Sequence, residues 1–288
     1  MRKLILTIPF ILAIFLICSC KYGNDNFFYE GNAARTRVKD ITSIKAPKSL
    51  GTKYSFAVIT DVHYGALGLK DKVPEMPDRE FISWIKKMAE KPLEEQISFV
   101  LCLGDIADYS TDQQYADYAD FVKRIEEAEP GLKVLNTPGN HDMYKSGWAK
   151  WKQTCYPNTS FYKFQTTNYS YYSIDMATGG PGYAQLEKLE KEFIMDKNPK
   201  IIFTHYTPYS HQFFWEMNDS TERNILFSIF EENNIKMLLC GHLHAYSVTD
   251  VGDFKQVSIP SFHYNRQWLY VHVNEILQTQ SFELITAK

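Results

Sequence analysis

The sequence has no excess of positive charge: 31 lysines and arginines stand against 34 aspartates and glutamates, a formal net charge of −3. A surface that grips nucleic acid through its phosphates carries a basic excess, so no nucleic-acid partner is expected. Cysteine is scarce: of five, Cys18 and Cys20 lie in the first twenty residues. Cys102, Cys155 and Cys240 are too few for a disulfide framework. Cys102 and Cys240 sit in apolar runs and read as small core residues, with a single Cys102–Cys240 or Cys155 bridge as the alternative in an oxidising compartment. There is no internal repeat and no low-complexity tract. No uncharged run reaches the roughly 20 residues of a membrane-spanning helix. What remains is the composition of a globular protein, 44% hydrophobic and 23% charged. Aromatics are high at 15%, with 19 tyrosines, which suits a well-filled core or a surface that binds something flat.

The N-terminus has its own texture. Arg2 and Lys3 precede an uncharged, mostly apolar run over residues 4–18, which reads as a secretory signal. The run ends Ile17-Cys18-Ser19-Cys20, similar to a bacterial lipoprotein cleavage box with Cys20 as the lipidated first mature residue. The expectation is a signal peptide over 1–19, a tether and N-terminal extension over 20–50, and one body over 51–288. The protein would be exported and anchored to a bacterial membrane through Cys20; plain secretion and an uncleaved anchor are the alternatives. In the tether, Asn24, Asp25 and Asn26 favour loops, while Phe27, Phe28 and Tyr29 could dock on the body.

From Tyr54 onward, strand and helix patterns alternate. Apolar runs at 56–59, 99–103, 134–135, 201–203 and 237–240 have the length of buried strands. Helical faces appear at Phe81, Trp84, Ile85 and Met88; at Tyr115, Tyr118, Val122 and Ile125 after a predicted capping box Ser110-x-x-Gln113; at Leu186, Leu189 and Phe193; and at Ile225, Leu226, Ile229 and Phe230. This predicts an α/β architecture with much parallel sheet. After His244 the pattern changes to short alternating runs around Val248, Val257, Ile259, Leu269, Val271 and Val273, a β-rich end.

Each apolar run leads into residues that bind metals or move protons: Asp61-Val62-His63, then Gly104-Asp105-Ile106-Ala107-Asp108, then Gly139-Asn140-His141-Asp142, then His205, then Gly241-His242-Leu243-His244. Ligands of α/β sheets bind beyond the carboxyl ends of the strands, so the five ends are predicted to meet at one rim. Imidazole with carboxylate suits Mn, Fe, Zn, Ni or Co, whereas Ca prefers oxygen alone. Side chains two apart, as in Asp61-x-His63 and His242-x-His244, would share one side of an extended strand end. The preceding glycines permit sharp turns and close backbone approach.

These blocks, in this order, resemble the five signature blocks of the calcineurin-like metallophosphoesterases. The resemblance implies two facing β-sheets flanked by helices, a four-layer sandwich. It implies two divalent metal ions, one held by Asp61, His63 and His244, the other by Asn140, His205 and His242, with Asp105 between them. It implies hydrolysis of a phosphoester by a hydroxide bridging the two ions, with His141 assisting the leaving oxygen and Asp108 orienting His141. Two metals of this kind clamp the attacking and leaving oxygens of an in-line displacement.

Other readings stand beside these. Asp108 could instead be a carboxylate at a helix start. Asp142 reads as structural. His263 and Arg266 are candidate substrate contacts, since Arg suits phosphate. His272, flanked by Val271 and Val273, reads as a strand residue facing solvent or a partner. Phe213, Phe214 and Trp215 could wall a pocket but read better as core. Tyr109 and Ser110 stand where the phosphoprotein phosphatases of the superfamily show Arg-Gly, and Asp108 stands where purple acid phosphatases place a tyrosine ligand. Only 44 residues follow His244, without the large extra domain of secreted 5′-nucleotidases. A small organic phosphoester is therefore expected rather than a macromolecule, and the overall size resembles the compact phosphodiesterase-like members, a resemblance that implies a phosphodiester. A phosphomonoester, or a metal-binding surface protein without turnover, is the alternative.

Overall fold

A computed structural model describes residues 37–38, 40–47, 50–66, 74–210, 216–217 and 219–288. The signal segment, Cys20 and most of the tether lie outside them, as do His211, Phe213, Phe214 and Trp215. Two mixed sheets face each other. The first contains β2 (Lys53–Ile59), β3 (Ile97–Cys102), β4 (Val134–Asn136), β11 (Gln267–Asn274) and β12 (Thr279–Thr286), in the order β12-β11-β2-β3-β4. The second contains β1 (Thr42–Ser43), β5 (Tyr162–Gln165), β6 (Ser170–Ser173), β7 (Lys200–Phe203), β8 (Ile235–Cys240), β9 (Ser247–Val251) and β10 (Phe254–Ser258), in the order β1-β5-β6-β7-β8-β10-β9. All five apolar runs form strands, and the β-rich end supplies strands to both sheets. The β5–β6 hairpin had no counterpart in the sequence reading.

Strand alternation builds three hydrophobic cores between four layers. Phe56 and Val58 of β2 and Phe99 and Leu101 of β3 point between the sheets, where they meet Ile201, Phe203, Met237 and Leu239. Ala57, Ile59, Val100 and Cys102 point the other way, toward α1 (Asp78–Ala89), α2 (Asp112–Ala128) and α3 (Gly147–Thr154). Ile202 and Leu238 meet α4 (Tyr183–Met195) and α5 (Ser220–Glu232) on the far face. Two irregularities adjust the pattern: Ser55 and Ala57 pair with Ile97 and Val100, and Lys200 and Ile201 pair with Ile235 and Met237. Each inserts one residue on one strand, so Ile97 and Val100 share a face although three apart.

The helices obey local rules, with one shift from expectation. α2 is capped by Thr111, whose hydroxyl accepts from the Gln114 N–H while the Gln114 side chain returns to the Thr111 N–H. The capping box thus lies one residue beyond Ser110-x-x-Gln113. Ser110 is left-handed (φ 53°) and its hydroxyl donates to the His141 carbonyl at 2.7 Å, which makes it part of the site's scaffold. α5 is capped by Asp219 through the Thr221 and Glu222 N–H groups. α3 was not foreseen.

Part of the stretch read as tether belongs to the body. Thr42–Ser43 pairs with Tyr162 and Lys163, Val38 is buried against α4 and α5 neighbours, and Arg37 Nη2 lies 2.7 Å from Asp175 Oδ1 with both side chains buried. The boundary at residue 51 falls inside the fold. Cys102, Cys155 and Cys240 are all free and buried. Cys102 and Cys155 pack under α1–α3, while Cys240 ends a strand of the other sheet and accepts from Thr207 Oγ1 at 3.3 Å, so no bridge forms. His272 Nδ1 lies 2.9 Å from Ser55 Oγ, a cross-strand contact that leaves the residue half-buried.

Candidate metal centre

The five strand ends do converge. Segments 60–64 and 103–108 run side by side beyond β2 and β3: Asp61 N–H donates to Gly104 O, His63 N–H to Asp105 O, Tyr64 N–H to Ile106 O and Asp108 N–H to Tyr64 O. The backbone here is not extended. Asp61, His63, Asp105, His242 and His244 all have positive φ, between 48° and 69°, five of the eleven non-glycine residues so placed among those described. The expectation that Asp61 and His63 share one side of an extended strand is thus corrected: alternating left-handed residues turn both side chains inward. Such backbone costs on the order of 1 kcal/mol or more per residue and persists where the surroundings hold it.

Two glycines are required by close approach. A Cβ on Gly139 would lie 2.2 Å from Asp105 Oδ1, and one on Gly241 would lie 2.0 Å from Thr60 Oγ1 and 2.8 Å from Asp61 Oδ2. Their absence lets backbone N–H groups reach the carboxylates. His141 N–H donates to Asp105 Oδ1 at 2.8 Å and His242 N–H to Asp61 Oδ2 at 3.0 Å, where Thr60 Oγ1 also donates at 2.7 Å. Each carboxylate therefore has one oxygen held and one turned to the site. Asp142 is structural, as read: it accepts from the N–H groups of Gly139, Ile106 and Ala107 and from the Tyr115 hydroxyl. Burial, then the neighbouring Asp105 charge, pushes its carboxyl up to about 6 against the pull of those donors.

The histidines repeat the scheme. His205 Nδ1 faces the Leu103 carbonyl at 2.8 Å and His63 Nδ1 faces Asp108 Oδ1 at 3.0 Å. Both partners accept only, so each Nδ1 carries a proton and Nε2 is the atom left to bind an ion once it is free of a second proton. Those Nε2 atoms face other acceptors. His63 Nε2 is 3.3 Å from His244 Nε2, and His244 Nε2 is 3.1 Å from Asp61 Oδ1. His205 Nε2 is 3.1 Å from Asn140 Oδ1, 3.3 Å from Asp105 Oδ2 and 3.2 Å from His242 Nδ1. Asp105 Oδ2 reaches both groups, lying 3.8 Å from His63 Nε2. Asp61 Oδ1 is buried without a hydrogen bond. Ligand atoms about 2.1 Å from a shared cation sit about 3.0–3.4 Å apart, so the donor set fits divalent ions. Three overlapping groups are able to hold a metal: Asp61, His63 and His244; Asp105, His205 and His242; and, between them, His63, Asp105 and His141.

Electrostatics match. Burial works to raise the Asp61 and Asp105 carboxyls, but the histidines around them hold both well below the usual carboxylate range. Burial lowers His205, yet the adjoining Asp105 charge outweighs it and brings the imidazole up to about 9. His242, buried beside His205, is pushed down to about 3.

Other predicted residues are placed as follows. His141 projects beside the first group, its ring 4.7 Å from that of His63 and its Nδ1 2.8 Å from the Asp108 carbonyl oxygen. Asp108 thus differs from expectation. Its main chain holds His141, while its carboxylate holds His63 and lies 3.6 Å from His141 Nδ1. It does not cap α2. His263 and Arg266 have partners outside the ligand clusters: His263 is buried with Nε2 2.9 Å from the Pro74 carbonyl, and Arg266 pairs with Glu80 at 2.5 Å and with the Glu75 carbonyl. Sequence reading missed Thr60, the Leu103 carbonyl and Ser261, whose hydroxyl donates to Asp61 O at 2.7 Å. Backbone partners leave no sequence signal.

The comparisons agree with this geometry. A family model described as calcineurin-like phosphoesterase matches residues 54–246. A dimetal phosphatase from Danio rerio superposes with a TM-score of 0.57 at 12% identity, over 82% of this chain and 99% of that one. A purple acid phosphatase from yellow lupin (Lupinus luteus) seeds gives 0.60 at 12% identity, over 84% and 52%. GAP50, the anchor in the inner membrane complex of Plasmodium, gives 0.59 at 12%, over 82% and 85%. At these identities the likeness is one of fold. A search of curated proteins finds no significant match. Because the family model spans well over half of the 288 residues and ends just past His244, this chain belongs to the calcineurin-like phosphoesterases, metal-dependent hydrolases of phosphoesters.

Proposed function

We propose that this protein hydrolyses a small organic phosphodiester with two divalent cations, one among Asp61, His63 and His244, the other among Asn140, His205 and His242, with Asp105 shared. The observation that carries the reading is the pair of acceptor clusters that meet at Asp105 Oδ2, with His141 beside them. When bound, such ions stabilise charge on phosphoryl oxygens and lower the pKa of water. The chain's own residues do the rest. Asn140, Asp61 and Asp105 hold the acceptor geometry open. The Asp108 carbonyl keeps the His141 proton at Nδ1, so a second proton at Nε2 is the one available to a leaving oxygen. The preference for a diester rests on charge. A monoester dianion carries one more charge than a diester, and among the described arginines Arg37, Arg124, Arg223 and Arg266 are each paired with a carboxylate, while Arg79 is exposed on the outer helix α1.

The test is an assay of the metal-loaded protein on a chromogenic diester and its monoester. His141→Ala should lower diester turnover about 10²–10⁴-fold while metal content stays unchanged. Faster hydrolysis of the monoester would overturn the diester preference. Two bound ions with no turnover of either would return the metal-binding surface protein. Export and a lipid on Cys20 belong to the same proposal and rest on the apolar run over 4–18. No helix among the described residues is long and apolar enough to cross a membrane. Mass spectrometry of the native N-terminus checks this; an unmodified Met1 would exclude it.

A further inference from the structure

The segment 260–266 lies against the site, and its charged members are engaged elsewhere, His263 with Pro74 and Arg266 with Glu80. Tyr264 is the member turned to the ligand residues. Its N–H donates to Ser261 Oγ at 3.0 Å, and Ser261 Oγ donates to Asp61 O, which ties the phenol's position to the metal-binding backbone. Its ring stacks on His244 (centroids 5.3 Å, interplanar angle 23°) and lies 5.5 Å from His63, yet 39% of the residue stays exposed. Tyr109 follows Asp108 directly, is anchored by its N–H to Gln114 Oε1 at 2.9 Å, and is 52% exposed. The His63 ring that Tyr264 approaches is held by the Asp108 carboxylate at 3.0 Å, so the residue next to Tyr109 in the chain and the Tyr264 ring meet on the same histidine. A third ring, Tyr144, lies 4.9 Å from His141. The surroundings of His141 are therefore aromatic.

Tyrosine brings no cation to a phosphoryl group. It brings a large, stiff, amphipathic surface that favours another flat ring by about 0.5–1.5 kcal/mol and loses little conformational freedom on contact. We propose that Tyr109 and Tyr264 form an aromatic subsite beside His141 that selects phosphoesters whose departing group carries a planar ring. The proposal rests on the phosphoesterase reading for its substrate, but its recognition step does not need turnover.

The probes are phenylphosphonate and methylphosphonate, titrated calorimetrically into the metal-loaded protein. The unsubstituted protein should bind the phenyl compound about three- to tenfold more tightly. Tyr264→Ala and Tyr109→Ala should each move that ratio toward one at unchanged metal content, measured by elemental analysis, and Tyr264→Phe should keep it. An unsubstituted protein without preference, or full preference in both alanine variants, overturns the subsite. If Tyr264→Ala loses metal, the ratio in Tyr109→Ala decides. Preserved preference without hydrolysis of any ester would sink the proposed reaction and leave the subsite standing. Hydrolysis without ring preference would do the reverse.

Discussion

The two halves of the metal centre are built from the same residue types but held differently. Around Asn140, His205 and His242, the key ring is fully buried and fixed by a backbone carbonyl, that of Leu103. Around Asp61, His63 and His244, the ring of His63 is fixed by a carboxylate, Asp108, and His244 keeps 35% of its side chain exposed. A carbonyl on a strand end cannot swing away; a side-chain carboxylate at a turn can, and water reaches His244. The buried half should bind its ion more tightly and exchange it more slowly than the open half, because rigid second partners and exclusion of water both favour retention. Similar residues thus make unequal sites.

The strongest way to break this comparison is to remove what the halves share. Asp105→Asn should cost both ions and nearly all turnover, since Asp105 Oδ2 faces both clusters; retention of two ions in elemental analysis would refute the sharing. Asp108→Asn probes one half alone. It should weaken the open-half ion about 10–100-fold and spare the buried one, because the carboxylate touches His63 while the main chain holds His141. A fall in turnover with both affinities intact would instead place the carboxylate's role at His141. The smallest effect is that of pH on the buried half. In the metal-free protein His205 sits at about 9, above its ordinary value near 6.5. Its protonated form stabilises the metal-free fold below that ordinary value, and this contribution is lost as pH rises through 9. The ion must displace that proton, so its affinity should rise by about tenfold per pH unit from 7 toward 9, with matching proton release in calorimetry. A flat profile would deny the competition.

Much of this was legible in advance because strands that end in Asp, His or Asn state both their element and their chemistry. The runs before Asp61, Asp105, Asn140, His205 and His242 all became strands, and their ends met. The readings that failed share a cause. The capping box moved by one residue because Ser110 is held by the His141 carbonyl, a partner 31 positions away. The partners of His263 and Arg266, Pro74 and Glu80, are likewise remote in sequence and adjacent only in space. The β5–β6 hairpin escaped notice because its tyrosines, Tyr162, Tyr171 and Tyr172, are buried, an arrangement that composition alone does not separate from a binding surface.

The sequence by itself determined the five strands that lead into the site, the residue types delivered to their ends and hence the class of ion they suit, since apolar runs and ligand chemistry are local properties. Only the tertiary structure decided which atom of each residue faces the site. That choice depends on partners supplied by other segments: Leu103 O for His205, Asp108 for His63, the His242 and His141 N–H groups for Asp61 and Asp105. An imidazole or a carboxylate presents one atom inward only when its other atom is held, and what holds it lies far away along the chain.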